Sequence, residues 1–407
     1  MDSRLPKDKI RILMLEGVHP AALKLLKSKG YRSIETVNGA LGEAELAKKI
    51  RDVQILGIRS KTQLNANVLA EARNLLGIGA FCIGTNQIDL GAAMQQGIAV
   101  FNSPFSNTRS VAEIVIANCI NLMRQLTEKS NAAHTGGWQK SSENCYEIRG
   151  KTLGIIGYGH IGSQVSVLAE TLGMNVVFYD VEPKLSLGNA RSMRTMDELL
   201  KCSDIVTLHV PETASTRNLM NAARLGKMKR GSYLINYSRG GVVDLTALRK
   251  LLISGKISGA AVDVFPHEPE TTKETFFSPL QGLKNVILTP HIGGSTVEAQ
   301  ANIGIDVATK LLQYLETGSS TGSLTIPALT LPERGHLHRL LHIHHNRPGV
   351  LGAINSRLSN LKVNILGQYL QTNSEIGYVV TDCEPKNTSK ALSELRKVPH
   401  TILCRNL

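Results

Sequence analysis

Leu153-Gly154-Ile155-Ile156-Gly157-Tyr158-Gly159-His160-Ile161-Gly162 is an apolar run closed by G-x-G-x-x-G. About 20 residues on, Val176-Val177-Phe178-Tyr179 ends in Asp180, the spacing of a dinucleotide-binding βαβ unit. Gly157 permits a tight turn, Gly159 lets backbone N–H groups approach a pyrophosphate, and Gly162 lets the next helix pack on its strand. The pyrophosphate is expected at that helix's N-terminus, where unpaired N–H groups and the helix dipole favour an anion. Asp180 can accept from the ribose hydroxyls and repels a 2′-phosphate, so the expected cofactor is NAD rather than NADP.

Working outward, Ile205 to Val210, Ser232 to Asn236 and Gly259 to Val264 read as buried strands that each precede a loop. Ligands of doubly wound sheets bind beyond the carboxyl ends of strands, which places His209, Asn236 to Arg239 and Asp263 where chemistry is expected. Before the fingerprint, Ile12 to Leu15, Ile55 to Ile58 and Leu76 to Ile78 alternate with helical patterns, the rhythm of a second parallel sheet. A long helix pattern from Thr108 to Met123 and a polar loop from Thr135 to Arg149 join the two. After Arg339 the order is βαββαβ, the ferredoxin-like plan. Gly318 to Ser323 reads as a flexible junction, with a proline-bearing linker through Pro332. The expected fold is therefore α/β, with two doubly wound Rossmann-like domains and a smaller C-terminal ferredoxin-like one.

At 407 residues the chain suits two or three domains, and its 42% hydrophobic and 19% charged content is that of a globular protein. No apolar stretch reaches the ~18 residues of a membrane helix, and residues 1–9 lack an apolar signal core, so a cytoplasmic location is expected. Six scattered cysteines form neither a disulfide framework nor a CxxC site. The net charge of +13 raises nucleic-acid binding, but the basic residues are interspersed with acids and aromatics are only 4%, too sparse for a stacking platform. An anionic small substrate accounts for some of the bias.

Three ionisable residues follow separate strand patterns: Arg239 in Asn236-Tyr237-Ser238-Arg239-Gly240-Gly241, Glu268 in Asp263-Val264-Phe265-Pro266-His267-Glu268-Pro269, and His291 in Thr289-Pro290-His291-Ile292-Gly293-Gly294. Each alone reads as a turn or a hydrogen-bonded structural residue. Together they supply what hydride transfer at a 2-oxo or 2-hydroxy acid requires. Histidine donates or takes a proton near neutrality, a carboxylate orients it and raises its pKa, and a guanidinium grips the substrate carboxylate.

These motifs resemble the D-isomer-specific 2-hydroxyacid dehydrogenases. Phe81-Cys82-Ile83-Gly84-Thr85-Asn86-Gln87, Asn102 to Glu113 and His344-His345-Asn346-Arg347-Pro348-Gly349 resemble the bacterial branch that carries one C-terminal ACT domain and oxidises 3-phospho-D-glycerate to 3-phosphohydroxypyruvate. The resemblance covers essentially the whole chain. It implies a discontinuous substrate domain (1–107 and 296–332), an NAD-binding domain (108–295), an ACT domain (336–407), and a site in the cleft between the first two. It also implies His291 as acid/base, Glu268 as its partner and Arg239 as carboxylate clamp. His160 and Ile161 would meet the pyrophosphate, Asp180 the ribose and Asp263 the nicotinamide amide, with Tyr237, Ser238, Arg239 and the segment His291, Ile292, Gly293 and Gly294 completing that pocket. Arg59, Ser60 and Asn107 would contact substrate, Asn107 also serving as a hinge. His344, Asn346 and Asn364 would bind L-serine between subunits, and Trp138 would contact a neighbour in a homotetramer. Lys61 and Asn38 stand where the family has arginine and lysine, which implies a weaker phosphate grip. Tyr237 replaces a small residue, and is expected to narrow the cofactor pocket.

Two alternatives stay open: another D-2-hydroxyacid dehydrogenase, which leaves the ACT-like tail unexplained, and a non-catalytic NAD-sensing scaffold on the same fold. His336, His338, His342, His344 and His345 crowd together, yet no Cys or carboxylate completes a tetrahedral set, so no metal site is expected.

Overall fold

The computed structural model describes residues 6–269, 274–333, 335, 337–385 and 388–407. It divides into two compact units, one of residues 1–106 with 300–407, the other of residues 107–299. His336, which opens the expected ACT domain and belongs to the histidine-rich stretch, lies outside the described residues.

The first unit begins with β1 (Ile12–Met14), α1 (Pro20–Ser28), β2 (Ile34–Thr36), α2 (Glu43–Lys49), β3 (Ile55–Ile58), α3 (Ala66–Ala70), β4 (Gly77–Ala80), α4 (Leu90–Gln95) and β5 (Ala99–Asn102). The strands form a parallel sheet in the order β2-β1-β3-β4-β5, doubly wound as expected. Its order reverses between β1 and β3, so the loops after those strands form the switch point where ligands collect in such sheets. β1, β3, β4 and β5 are buried throughout, which is why they read as continuous apolar runs rather than alternating ones.

The second unit contains α5 (Thr108–Arg124), α6 (Leu126–His134), β6 (Thr152–Ile156), α7 (His160–Thr171), β7 (Asn175–Tyr179), β8 (Arg191–Ser192), α8 (Met196–Cys202), β9 (Ile205–Leu208), α9 (Ala222–Lys227), β10 (Ser232–Asn236), α10 (Leu245–Ile253), β11 (Ile257–Val262) and β12 (Val286–Leu288). Seven parallel strands run β12-β11-β10-β9-β6-β7-β8, with the switch point between β6 and β9. Apolar clusters cover both faces: Val111, Val115 and Val165 belong to one, Leu199, Leu225 and Leu248 to the other.

The helix α11 (Val297–Thr317) leads into the remainder of the first unit, where β13 (His338–His345), α12 (Val350–Asn360), β14 (Ile365–Thr372), β15 (Ile376–Cys383), α13 (Thr388–Leu395) and β16 (Thr401–Asn406) build an antiparallel sheet ordered β14-β15-β13-β16. One face of this sheet packs Leu340 and Val379 under α12 and α13. The other puts Leu341, Ile343, Tyr378 and Val380 into the same core as Ile12, Val307 and Leu311. Each such leucine or valine removed from water contributes about 1.5–3 kcal/mol, so the two sheets of this unit are strongly joined.

The junction departs from the flexible segment expected. Ser319 and Ser320 are buried, Ser320 Oγ donates to the Pro327 carbonyl at 2.5 Å and accepts from Leu329 N–H, and the Tyr378 hydroxyl donates to the Gly318 carbonyl at 2.7 Å. Small hydroxylated residues satisfy a tight loop's own backbone as readily as they solvate a linker. Below it, Arg339 is fully buried, paired with both Asp382 oxygens (2.6 and 2.7 Å), and donates to the carbonyls of Thr317 and Pro332.

Candidate active site

At the switch point of the seven-stranded sheet, Gly157 has φ +92°, and a Cβ there would stand 2.5 Å from the His209 carbonyl oxygen. A Cβ on Gly162 would stand 2.2 Å from the Gly157 carbonyl oxygen, whereas Gly159 faces open space. The first and third glycines are thus demanded by packing and the second leaves room for a ligand. α7 starts at His160 and Ile161 with no side-chain cap from Gly159, which puts a helix N-terminus, favourable to an anion, directly after the glycine turn. Asp180 accepts from Tyr158 N–H (2.7 Å) and Glu182 N–H (3.0 Å), one bond per oxygen, which fixes the carboxylate and leaves each oxygen a lone pair for a ribose hydroxyl. These residues fit a dinucleotide. His209, at the end of β9, is held neutral by burial, its pKa pushed down to about 3.

The three residues expected to carry the chemistry lie past the carboxyl ends of β10, β11 and β12. His291 Nδ1 is 2.7 Å from Glu268 Oε2, and Phe265 N–H donates to the other Glu268 oxygen at 3.0 Å. The hydrogen bond to Glu268 is the main reason the imidazole pKa is raised. Burial pushes the Glu268 carboxyl upward, but the bonds from His291 and Phe265 N–H and the nearby charges of His291 and Arg239 outweigh it, and its pKa is lowered. Arg239 is held by a 2.7 Å bond from its guanidinium to the Ser238 carbonyl. Its turn is set by Asn236, whose side-chain oxygen accepts from both Ser238 N–H and Ser238 Oγ while its amide donates to the Arg239 carbonyl. Gly240 is required because a Cβ would stand 2.0 Å from the backbone of Phe265, so the arginine turn and the glutamate loop touch directly.

Asp263, 1% exposed, accepts from the Thr289 hydroxyl and from the N–H groups of Ile292 and Gly293. Oδ2 takes only one of these bonds, which leaves it acceptor capacity. The Tyr237 side chain is buried, and its hydroxyl meets Asn118 and Thr289 inside the protein. Asn107 is buried with its Oδ1 unpartnered, and a Cβ on Gly294 would come 2.2 Å from its amide nitrogen.

In the first unit, Arg59 and Ser60 follow β3 at the switch point of their own sheet. Sequence reasoning missed what holds them. Glu16, just after β1 with φ +60°, accepts from the N–H groups of Arg59, Lys61 and Thr62, and the Arg59 guanidinium donates to Gln300 at 2.8 Å. An acid directly after a buried strand is the only sequence signal for Glu16, and it resembles any turn.

The three residues expected at an effector site are dispersed within one chain. His344 is buried in β13, its Nδ1 2.8 Å from the His345 carbonyl, and a Cβ on the facing Gly377 would overlap its ring. Asn346 donates to the Asn373 carbonyl just past the end of β14, while Asn364 precedes the start of β14 and donates to Glu384. At ~3.4 Å per residue, the eight residues of β14 put roughly 25 Å between those two ends. Trp138 is 87% exposed.

Residues 116–293 match the NAD-binding domain of the D-isomer-specific 2-hydroxyacid dehydrogenases, and residues 340–403 an ACT domain like that of the AHAS small subunit. The chain is 52% identical over 403 residues to a D-3-phosphoglycerate dehydrogenase of Haemophilus influenzae, covering 99% of this chain and 98% of that one. The chain belongs to the D-3-phosphoglycerate dehydrogenase branch of the D-isomer-specific 2-hydroxyacid dehydrogenases. A further member of that branch, from Dictyostelium discoideum, is 48% identical over 402 residues, covering 99% of this chain and 98% of that protein. Among solved members of the wider family, a D-lactate dehydrogenase from Aquifex aeolicus complexed with NAD and lactic acid matches with a TM-score of 0.67 at 27% identity, covering 78% of this chain and all of that one. This member of the family is an NAD-dependent oxidoreductase, and no helix among its described residues is long and apolar enough to cross a membrane.

Proposed function

We propose that the chain oxidises 3-phospho-D-glycerate to 3-phosphohydroxypyruvate, the first step of serine synthesis, with His291 as the proton-transfer group. The carrying observation is the 2.7 Å His291–Glu268 contact beside Arg239, at the carboxyl end of an NAD-binding sheet. Bound NAD supplies the hydride acceptor. Nδ1 is committed to Glu268, so Nε2 takes the C2 hydroxyl proton as that carbon becomes a carbonyl, and Glu268 stabilises the imidazolium that results. Arg239 grips the substrate carboxylate, a role suited to the planar guanidinium. Arg59 and Ser60 are the first unit's contribution to substrate binding, with Asn107 a substrate contact and hinge. His160, Ile161, Asp180, Ser238, Asp263 and the segment Ile292 to Gly294 hold the cofactor.

Residues 1–107 with 296–332 form the substrate domain, 108–295 the NAD-binding domain and 336–407 the regulatory domain. L-Serine is the effector, bound where His344 and Asn346 of one chain meet Asn364 of another. The separation of Asn346 from Asn364 along β14 favours a site completed by a second copy, and the exposed Trp138 suits a subunit contact in a cytoplasmic homotetramer. Reduction of 2-oxoglutarate is a side activity, its distal carboxylate standing in for the phosphate. An NADH-formation assay comparing 3-phosphoglycerate with D-lactate, glycerate and 2-hydroxyglutarate tests the assignment, and a preference for D-lactate overturns it. For the regulatory reading, Asn346→Ala or Asn364→Ala relieves serine inhibition without loss of activity in serine's absence, and a wild-type enzyme indifferent to millimolar serine overturns it.

A further inference from the structure

We infer that Tyr237 is a positioning residue for the His291 loop, acting through a directed chain of hydrogen bonds that runs from α5 through Thr289 to Asp263. The inference rests on His291 as the proton-transfer group.

The chain begins at Asn118, buried on α5, whose amide nitrogen donates to the Ile114 carbonyl at 3.0 Å and to the Tyr237 hydroxyl at 2.9 Å. Both of its N–H bonds are then used. The Tyr237 hydroxyl lies 3.0 Å from Thr289 Oγ1, which lies 2.6 Å from Asp263 Oδ1. An ionised carboxylate only accepts, so the single Thr289 proton points at Asp263. Thr289 must therefore accept from Tyr237, and Tyr237 from Asn118. Every hydroxyl donates once and accepts once, all in one direction, the arrangement in which successive hydrogen bonds polarise one another.

The chain ends on the group that shapes the catalytic loop. Asp263 takes the N–H of His291 on its carbonyl (2.8 Å), that of Ile292 on Oδ1 (2.9 Å) and that of Gly293 on Oδ2 (2.8 Å). Three successive N–H groups thus converge on one residue. His291 sits at φ +54°, a left-handed conformation that costs a non-glycine residue energy and persists only where surrounding bonds impose it. The Asp263 main chain holds the His291 N–H and its carboxylate holds the next two, and Thr289 and Tyr237 fix the rotamer of that carboxylate. The tyrosine ring adds a steric limit: a Cβ on Gly293 would stand 3.0 Å from Tyr237 Cδ1, so the ring backs the loop. Burial raises the Tyr237 pKa, which keeps the hydroxyl protonated as the chain requires.

Tyr237→Phe removes one oxygen with little change in shape. We expect kcat to fall roughly tenfold, since small misplacements of a catalytic group are costly. The pH limb of kcat/KM moves, and the Ile292 and Gly293 amides exchange hydrogen faster while Tm stays near the wild-type value. Thr289→Val cuts the chain at its next link, and Thr289→Ser, which keeps the hydroxyl, recovers most of that loss. Tyr237→Phe added to Thr289→Val costs nothing further, because the chain is already cut. Wild-type kcat and pH profile in Tyr237→Phe, independent losses in the double variant, or a fall in Tm alone would overturn the inference. Near-normal turnover in a His291→Ala enzyme would instead remove the reading of the site on which it rests.

Discussion

His291–Glu268 and Arg339–Asp382 are both cation–carboxylate pairs joining separate segments, at 2.7 and 2.6 Å. The first pair has side chains 52% and 35% exposed, the second 0% and 4%. The open pair contains the one cation whose charge can change near neutrality, and its second nitrogen is left for chemistry. The closed pair contains a guanidinium that spends two N–H groups on Asp382 and two more on the carbonyls of Thr317 and Pro332. Distance alone does not separate a site from a staple. What separates them is whether a group keeps an unspent bond and a proton it can give up.

Removing one partner from each pair therefore breaks different things. His291→Ala lowers kcat by the ~10²–10⁴-fold of a lost general acid/base, with NADH affinity and Tm close to wild type. Stopped-flow and equilibrium NADH binding separate these outcomes, and near-normal turnover would end the comparison. Asp382→Asn should do the reverse. A buried guanidinium left without its counter-charge destabilises by about 3–5 kcal/mol, read as a lower urea midpoint, while kcat per folded molecule is retained. An unchanged midpoint would show that the Thr317 and Pro332 carbonyls suffice for Arg339.

The contrast also explains what the sequence revealed. Gly157, Gly162 and Asp180 were legible because each answers to a local backbone demand at fixed spacing, and the βαββαβ order because its helix and strand patterns are separable. β13 and β15 show little period-2 alternation because both their faces are buried. The Gly318 to Ser323 segment was misjudged because linkers and tight turns share a composition. Glu16, Asn118 and Thr289 were invisible for a deeper reason: their partners come from other segments, so nothing near them in sequence reports the bonds they make. Tyr237 stood out as a departure, but its role depends on where Asn118 and Thr289 lie.

Histidine itself sharpens the comparison, because His342 is the opposite of His291. It is buried in β13 with Nε2 2.9 Å from Thr401 Oγ1 and Nδ1 unpartnered, and burial, with the neighbouring His344, pushes its pKa down to about 4. Above pH ~6.5 folded and unfolded forms are both neutral there, and nothing is lost. As pH falls toward 4 the unfolded chain takes a proton that the folded one refuses, so stability drops, by about 2 kcal/mol between pH 7 and 5 for this one group. Urea titrations at the two pH values should show a smaller loss in His342→Gln than in wild type. Equal losses would mean that His342 charges in place.

The smallest effect tests the open pair most finely. Glu268→Gln keeps the shape of the site and removes the charge that raises the His291 pKa. Oxidation needs the imidazole as a base, so its kcat/KM rises with pH through the His291 pKa. Reduction needs the imidazolium and falls over the same range. With Glu268 neutral, the imidazole gives up its proton at lower pH, and both limbs move to the acid side together. In the oxidation direction the variant therefore approaches the wild-type enzyme, or gains on it, at the acid end of the profile, while its maximal rate falls because the imidazolium formed in the reaction has lost its partner. Profiles measured in both directions decide the matter. Limbs that stay in place, or move in opposite senses, would show that the 2.7 Å contact orients His291 without setting its charge, and that the open pair is built on the same terms as the closed one.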